Sequence, residues 1–478
     1  MAQKLNKKLI FVVGSLVLLV GVGGLGMLAI RWRYDAERHI RNGDQLVAAG
    51  DFDKAADAYG RAVNKKPNNL AYLDKLRSAV EKITPATENE ARERYTQQMQ
   101  IVSLSAKAGR DDLARWRDYL GLVREQAESG GSSQAWKALA ERCDEMQRIV
   151  AEKSLGESVA RLYRGYAGLR RSDSLTDAER AAALADLKAA AADKSLDAEE
   201  RDLVDAAMAR FALEDLARAK ATNRAERIEA AQKTVDEAFA VAEAASPNGL
   251  QTAIARLQRA IVAAGGNRND PALAEPAKAV ADRALAADRA SSVLEATDAL
   301  LRGGPAGFDA ALRLIGEYSK SHPAALMHRR AYAQLLRGTD REAALAEAEA
   351  IMNAPRPTVG LVAAVYEPNR ISAAQLRFDI LHELLERADD AGKAEARTRA
   401  TAARDDLAKF LAGVADDSTL LRSDGKLKLA DGDFAGAALK FNEVFKKGSQ
   451  VDLELHLLAA VANIGLGETG RALELVNA

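Results

Sequence analysis

Two patterns of apolar residues divide this chain. Residues 9–30, LIFVVGSLVLLVGVGGLGMLAI, form an unbroken run without a charged side chain. As a helix the run would reach roughly 33 Å at 1.5 Å per residue, enough to cross a bilayer core. Lys4, Lys7 and Lys8 precede it, and Arg31, Trp32, Arg33 and Tyr34 follow as a basic and aromatic collar. The run is long for a cleavable leader, and Met27-Leu28-Ala29 is a poor small-x-small cleavage site, so an uncleaved anchor is expected. The short lysine-rich tail, residues 1–8, is the usual cytoplasmic end of such an anchor. It places the rest of the chain outside the membrane that it crosses.

Beyond residue 30 the pattern changes to apolar residues three and four positions apart, as in Leu139, Cys143 and Met146, the period of an amphipathic helix. Alternating runs of strand character are nearly absent. Proline is missing between Pro85 and Pro247 and again after Pro368. An interior proline costs a helix about 3 kcal/mol, so these gaps permit long helices. The prolines that do occur sit mostly in turn contexts such as KKPNN, SPNG, GGPAG and SHP. Ser154-Leu-Gly-Glu157 and Thr176-Asp-Ala-Glu179 read as capping boxes at helix starts. The β-branched stretch TVGLVAAVYEP, residues 358–368, is ambiguous by itself, and its setting favours a short helix or connector. An all-α fold is expected.

One phrase occurs twice, as GDFDKAADAYGRAVNKKP from residue 50 and as GDFAGAALKFNEVFKKG from residue 432. In the first copy two helices meet at Gly50-Asp51. Gly43 lets them approach, Ala55 supplies the matching small contact, and Leu46, Phe52, Tyr59 and Val63 fill the space between. Ala62 packs at the far end and Pro67 stops the second helix. This arrangement resembles the tetratricopeptide repeat, a 34-residue helix-turn-helix unit. Counted from Ala36, the positions Gly43, Gly50, Asp51, Phe52, Ala55, Tyr59, Ala62 and Pro67 match that pattern, while His39 and Asn42 depart from its usual Trp and Leu. Counted from Ser418, Gly425, Gly432, Asp433, Phe434, Ala437 and Phe441 match, with Val444 in the later small position. Weaker copies start near Ser292 (Ala311, Ile315, Tyr318, Pro323) and near Ala325 (Tyr332, Thr339, Asp340, Ala344, Ala348). A degenerate one follows the first repeat (Leu73, Leu76, Val80, then Ala91 and Tyr95).

The resemblance implies a TPR-like α-α superhelix, a solenoid of helical hairpins, preceded by one transmembrane helix. Repeats cover residues 31–105, 291–358 and 418–478, the last one incomplete. Residues 106–290, alanine-rich and without a clean 34-residue period, read as divergent hairpins of the same stack, with a separate helical bundle as the alternative, and a helical connector fills 359–417. A solenoid end calls for a polar cap. Either the helix that stops at Ala478 is that cap, or the chain is the front part of a longer protein. The resemblance also implies a concave groove for a protein or peptide partner, lined at the fifth and ninth positions of each unit. In the first unit these are Ile40 and Asp44, which differ from the Lys and Asn of the family's carboxylate clamp. In the 418 unit they are Arg422 and Lys426, one turn apart, a pair suited to an acidic segment.

Composition removes several other functions. Ala, Glu, Leu, Lys and Arg dominate, aromatics are 5%, and 68 basic side chains face 69 acidic ones. A balanced chain with few aromatics offers neither the electrostatic footprint nor the stacking platforms of a nucleic-acid binder, so no nucleic-acid partner is expected. The single cysteine, Cys143, excludes an internal disulfide and reads as a small buried residue. Gly21, Gly23, Gly24 and Gly26 spell G-x-G-x-x-G, but inside the apolar run, without the strand, helix and acidic residue of a dinucleotide site. HELLE at His382–Glu386 lacks the second histidine of a zinc-protease helix and reads as a solvated amphipathic helix. No catalytic, metal or cofactor set emerges. The expected role is a non-enzymatic, single-pass membrane scaffold for protein–protein interactions in a bacterial envelope, with its bulk outside the inner membrane. The alternatives are a docking arm for a catalytic domain beyond Ala478, or a structural spacer.

Overall fold

The computed structural model describes residues 36–83, 88–130, 132–150, 155–171, 174–356, 366–412, 418–448 and 451–477. The apolar run at 9–30 with its collar, the glycine motif within it, Ser154 and most of 358–368 lie outside the described residues. Among the described residues every regular element is a helix, and none is long and apolar enough to cross a membrane.

Two compact units divide the chain, one running to Pro247 and the other starting at Asn248. The first holds α1 (36–48), α2 (Phe52–Lys65), α3 (Leu70–Glu81), α4 (Glu88–Ala108), α5 (Leu113–Gly130) and α6 (Ser133–Ile149). It continues with α7 (Glu157–Leu169), α8 (Asp177–Ala191), α9 (Ala198–Ala221) and α10 (Ala225–Ala245). The second holds α11 (Leu250–Ala263), α12 (Ala274–Ala287), α13 (Ala290–Leu301), α14 (Gly304–Ser321), α15 (Leu326–Arg337) and α16 (Arg341–Met352). After these come α17 (Tyr366–Arg387), α18 (Lys393–Phe410), α19 (Ser418–Ala430), α20 (Phe434–Lys447), α21 (Leu453–Gly465) and α22 (Thr469–Asn477). In both units each helix packs chiefly on its neighbours in sequence, which is how hairpin stacks bury apolar faces that no hairpin can bury alone.

The repeated phrase folds the same way in both places. Gly50 and Gly432 each adopt φ 77°, a left-handed turn open to glycine without a Cβ penalty. The next residues, Asp51 and Asp433, cap the following helix by accepting from the amides of Lys54 and Gly436. Gly43 lies against the Tyr59 ring and Gly425 against the Phe441 ring, so closely that a Cβ on either glycine would overlap the ring. Ala55, Ala62 and Ala437 are buried beside these contacts, and α2 ends at Lys65, two residues before Pro67. In the weaker copies Leu73, Leu76, Val80, Ala311, Ile315, Tyr318, Ala344 and Ala348 are likewise buried.

In the first unit the main core joins Trp116 and Leu120 of α5, Trp136 and Cys143 of α6, Tyr166 of α7, Leu187 of α8 and Phe211 of α9. The Trp136 and Tyr166 rings meet edge to face at 5.7 Å. Burial of Cys143 pushes its thiol pKa up. The Thr176–Glu179 capping box starts α8 as expected, and a second box, Asp197–Glu200, starts α9. The box expected at Ser154 is replaced. Gly156, at φ 69°, is the residue that precedes α7, and no side chain caps that start. Glu157 thereby becomes the first helical residue, too early for the reciprocal bond of a box, and it pairs with Arg161 at 2.5 Å.

The stretch read as a connector, 359–417, contains a hairpin as substantial as the repeats: α17 of 22 residues and α18 of 18. Phe378, Ile380, Leu381 and Leu385 of α17 pack with Ala400 and Ala403 of α18 and with Ala333 and Leu336 of α15. The HELLE helix is correspondingly less solvated than its sequence suggests. His382 is buried, and its Nε2–H donates to the Lys426 carbonyl at 3.1 Å.

Candidate functional site

The groove positions named from the repeat pattern fall into two different settings. Asp44, exposed on α1, accepts from the Tyr59 hydroxyl at 2.7 Å and from Lys75 Nζ of α3 at 2.5 Å. Burial pushes its carboxyl up, but the two donors outweigh it and hold the pKa below the ordinary value. Asp44 thus links α1 to α2 and α3.

Arg422 and Lys426 sit together on α19, as their spacing requires, and both are buried. Arg422 makes a two-pronged bond to Asp452, 2.9 Å on each prong, and a third at 2.6 Å to Glu454. Lys426 reaches Asp379 of α17 at 2.9 Å and Glu454 of α21 at 2.8 Å. Burial disfavours both cations, yet the surrounding carboxylates raise both pKa values. Arg422 in turn lowers the Asp452 carboxyl; at Glu454, burial is outweighed by Lys426. Two cations and three carboxylates therefore form a network that ties three successive hairpins. The acidic counter-charge anticipated from a ligand is already supplied by Asp379, Asp452 and Glu454. These three went unrecognised in the sequence. Asp452 alone carried a local signal, because it caps α21 through the Leu455 amide.

A cleft of about 350 Å³ opens elsewhere in the second unit, between α16, α17 and α18. Leu345 and Leu381 form its apolar floor, and Arg377 closes one side, held by Glu349 at 3.0 Å and by Asp406 at 2.9 Å. Glu342 on α16 and Arg399 on α18 face the cleft, are exposed, and have no ion-pair partner among the described residues. The cleft is walled by the second helices of two successive hairpins, α16 and α18, and by Arg377 and Leu381 of the first helix α17, away from the fifth and ninth positions that the repeat pattern singles out. No short motif marks it, because its three walls come from separate segments.

Among the described residues no group of three His, Cys, Asp or Glu side chains is placed to hold a metal ion. His322, just past the end of α14, and His328 of α15 pack instead: the His322 ring stacks on Tyr318 at 4.2 Å, and buried His328 donates Nε2–H to the Ala290 carbonyl at 2.9 Å. Burial lowers the His328 pKa and favours the neutral ring.

No family model matches the sequence, and no curated protein does. Several solved structures of helical-repeat proteins are similar at low identity. The APC/C hetero-tetramer Cut9-Hcn1 aligns at 11% identity over 91% of this chain and 84% of that chain, with a TM-score of 0.31. The TPR domain of P58(IPK) aligns at 12% over 92% and 98%, with a TM-score of 0.20. The human IFIT1 dimer with m7Gppp-AAAA aligns at 13% over 92% and 88%, with a TM-score of 0.27. The tetratricopeptide-like character of the fold stands on the chain's own α1–α2 and α19–α20 hairpins, with their matched glycine turns and glycine–ring contacts.

Proposed function

We propose that this chain is a non-enzymatic scaffold of stacked helical hairpins that holds a protein segment, tethered to a bacterial inner membrane by residues 9–30 with its bulk on the extracytoplasmic side. The observation that carries the binding role is the cleft between α16, α17 and α18. It pairs an apolar floor with an unpaired carboxylate, Glu342, and an unpaired guanidinium, Arg399, on separate walls. Its volume lies near the lower end of the range for binding sites, about 300–1,000 Å³. The chemistry suits a short segment that sets one apolar side chain on Leu345 and Leu381 and offers a basic group to Glu342 and an acidic group to Arg399. The tether rests on the length and charge-free character of residues 9–30 and on the flanking lysines.

Photo-crosslinking in membranes from a reactive side chain at Thr398, beside the cleft, tests the binding role. A discrete protein adduct that disappears on Arg399→Glu is the expected result. Absence of an adduct, or one indifferent to charge reversal at Arg399 and Glu342, would refute the role. Reporter fusions at the carboxyl end test the orientation: activity of an extracytoplasmic reporter is expected, and activity of a cytoplasmic one overturns the assignment.

A further inference from the structure

Glu200 and Asp205 lie on the same helix, α9, and each is 4% exposed. Their surroundings differ in one respect. Glu200 receives Arg117 of α5 on both oxygens, at 2.8 Å and 2.7 Å, and its Oε2 also accepts from the Asp197 amide of the capping box at 3.0 Å. Asp205 has neither an ion pair nor a hydrogen bond among the described residues, and its Oδ2 is closed to solvent. The natural partner would be Arg201, one turn earlier on the helix, a spacing that suits an ion pair. Arg201 is committed elsewhere. Its Nη1 donates to the Ala191 carbonyl at 2.6 Å and its Nη2 to the Asp193 carbonyl, which satisfies the open carboxyl end of α8.

No other neighbour supplies the counter-charge. Val204, Ala206 and Ala209 on the same helix are buried and apolar. Asp202, one turn earlier and also buried, adds a like charge. α9 packs on α7, α8 and α10. On α7, Arg161 is held by Glu157, and Arg164 by Asp144 and Asp186. On α8, Arg180 is held by Glu214 and Asp215, and Lys188 is exposed. On α10 the cations Arg227 and Lys233 are exposed, and the one acid turned partly inward is Glu243, a further like charge. Burial without a counter-charge disfavours a carboxylate. It pushes the Asp205 carboxyl above its ordinary 3.8, against the pull of Arg201. Taking up a proton removes the buried charge and gives the group an O–H to donate.

We infer that Asp205 is a proton-dependent latch: α9 seats among α7, α8 and α10 with this carboxyl neutral, and the α9–α10 hairpin loosens when the proton leaves. The sign follows from linkage. A carboxyl whose folded pKa lies above 3.8 contributes stability that is complete below about pH 4 and is lost as pH rises toward the folded value. The test is hydrogen exchange on the purified full chain in detergent from about pH 4 to about pH 8, corrected for the intrinsic pH dependence of exchange, in the wild type and in Asp205→Asn. The readout is the ratio of wild-type to variant opening, segment by segment. Across α9 and α10 that ratio is expected to rise by up to about tenfold per pH unit and to level off once the carboxyl is ionised. Across α19–α21 it is expected to stay flat. Should Asp205→Asn lose helical circular dichroism, Asp205→Ala decides the matter. It removes the carboxyl without adding an amide that needs partners, and the same rise is expected. A ratio across α9 and α10 that is flat or falls with pH, or one that rises equally across α19–α21, would overturn the inference.

Discussion

In α1–α2 the Tyr59 ring lies against Gly43; in α19–α20 the Phe441 ring lies against Gly425, and both turns use a glycine at φ 77° followed by a capping aspartate. Outside these shared interiors the two hairpins diverge. Asp44 meets Lys75 in an open pair with both side chains more than two-fifths exposed. Arg422 and Lys426 are sealed among Asp379, Asp452 and Glu454. The contrast shows what each layer is answerable to. The crossing of two helices is set by a small residue facing a ring and tolerates little change, because close-packed interiors have no slack. The polar positions answer to whichever helix stacks next, and they differ because those neighbours differ.

The largest effects should come from the shared interior. Tyr59→Ala and Phe441→Ala each remove a buried ring and are expected to cost about 3–5 kcal/mol. Hydrogen exchange is the right measurement, since a stack of this kind need not unfold in one step. Losses of similar size, each confined to its own hairpin and immediate neighbours, are expected. A loss in only one of them would break the equivalence of the two units.

A middle range of effects should separate the outer layers. Lys426→Ala leaves Asp379, 18% exposed, without its cation and is expected to cost on the order of 1–3 kcal/mol. Asp44→Ala opens a solvated pair and should stay below about 1 kcal/mol. Acid distinguishes the same sites. Asp452 and Glu454 have folded pKa values below their ordinary 3.8 and 4.5, so the unfolded chain takes up protons first as pH falls. Their contribution is fully present above about pH 5 and is lost as pH drops through those ordinary values toward the lowered folded ones. Amide protection across α19–α21 is expected to fall over that window in the wild type and to fall less in Lys426→Ala.

The smallest predicted effect sharpens the likeness. Gly50→Ala and Gly432→Ala each force a Cβ into a left-handed turn with nothing to collide with, so the expected cost is about 1 kcal/mol of backbone strain at both sites. Thermal or denaturant scans that gave clearly different costs would mean that the two turns are not interchangeable.

Local signals in the chain were good guides wherever the deciding contact is local. The second Gly-Asp-Phe phrase, the Thr176 box and the burial of Cys143 could all be read from residues within a turn or two of each other. Ser154 misled because a glycine two residues later takes the left-handed turn and moves the helix start past it. The 359–417 stretch passed for a connector because α17 is buried on several faces, polar residues included. Asn369 and His382 are buried along with Phe378 and Ile380, so its 3.6-residue stripe is blurred.

The sequence by itself determined the all-helical hairpins, the glycine turns and which small residue meets which ring, because helix periodicity, capping and close approach are settled within one hairpin. Only the tertiary structure decided the company kept by the polar groove positions. Arg422 finds Asp452 and Glu454, Lys426 finds Asp379, and Glu342 and Arg399 are left facing a cleft. Those partners lie 30 to 47 residues away along the chain, and the stacking of one hairpin on the next brings them within bonding distance.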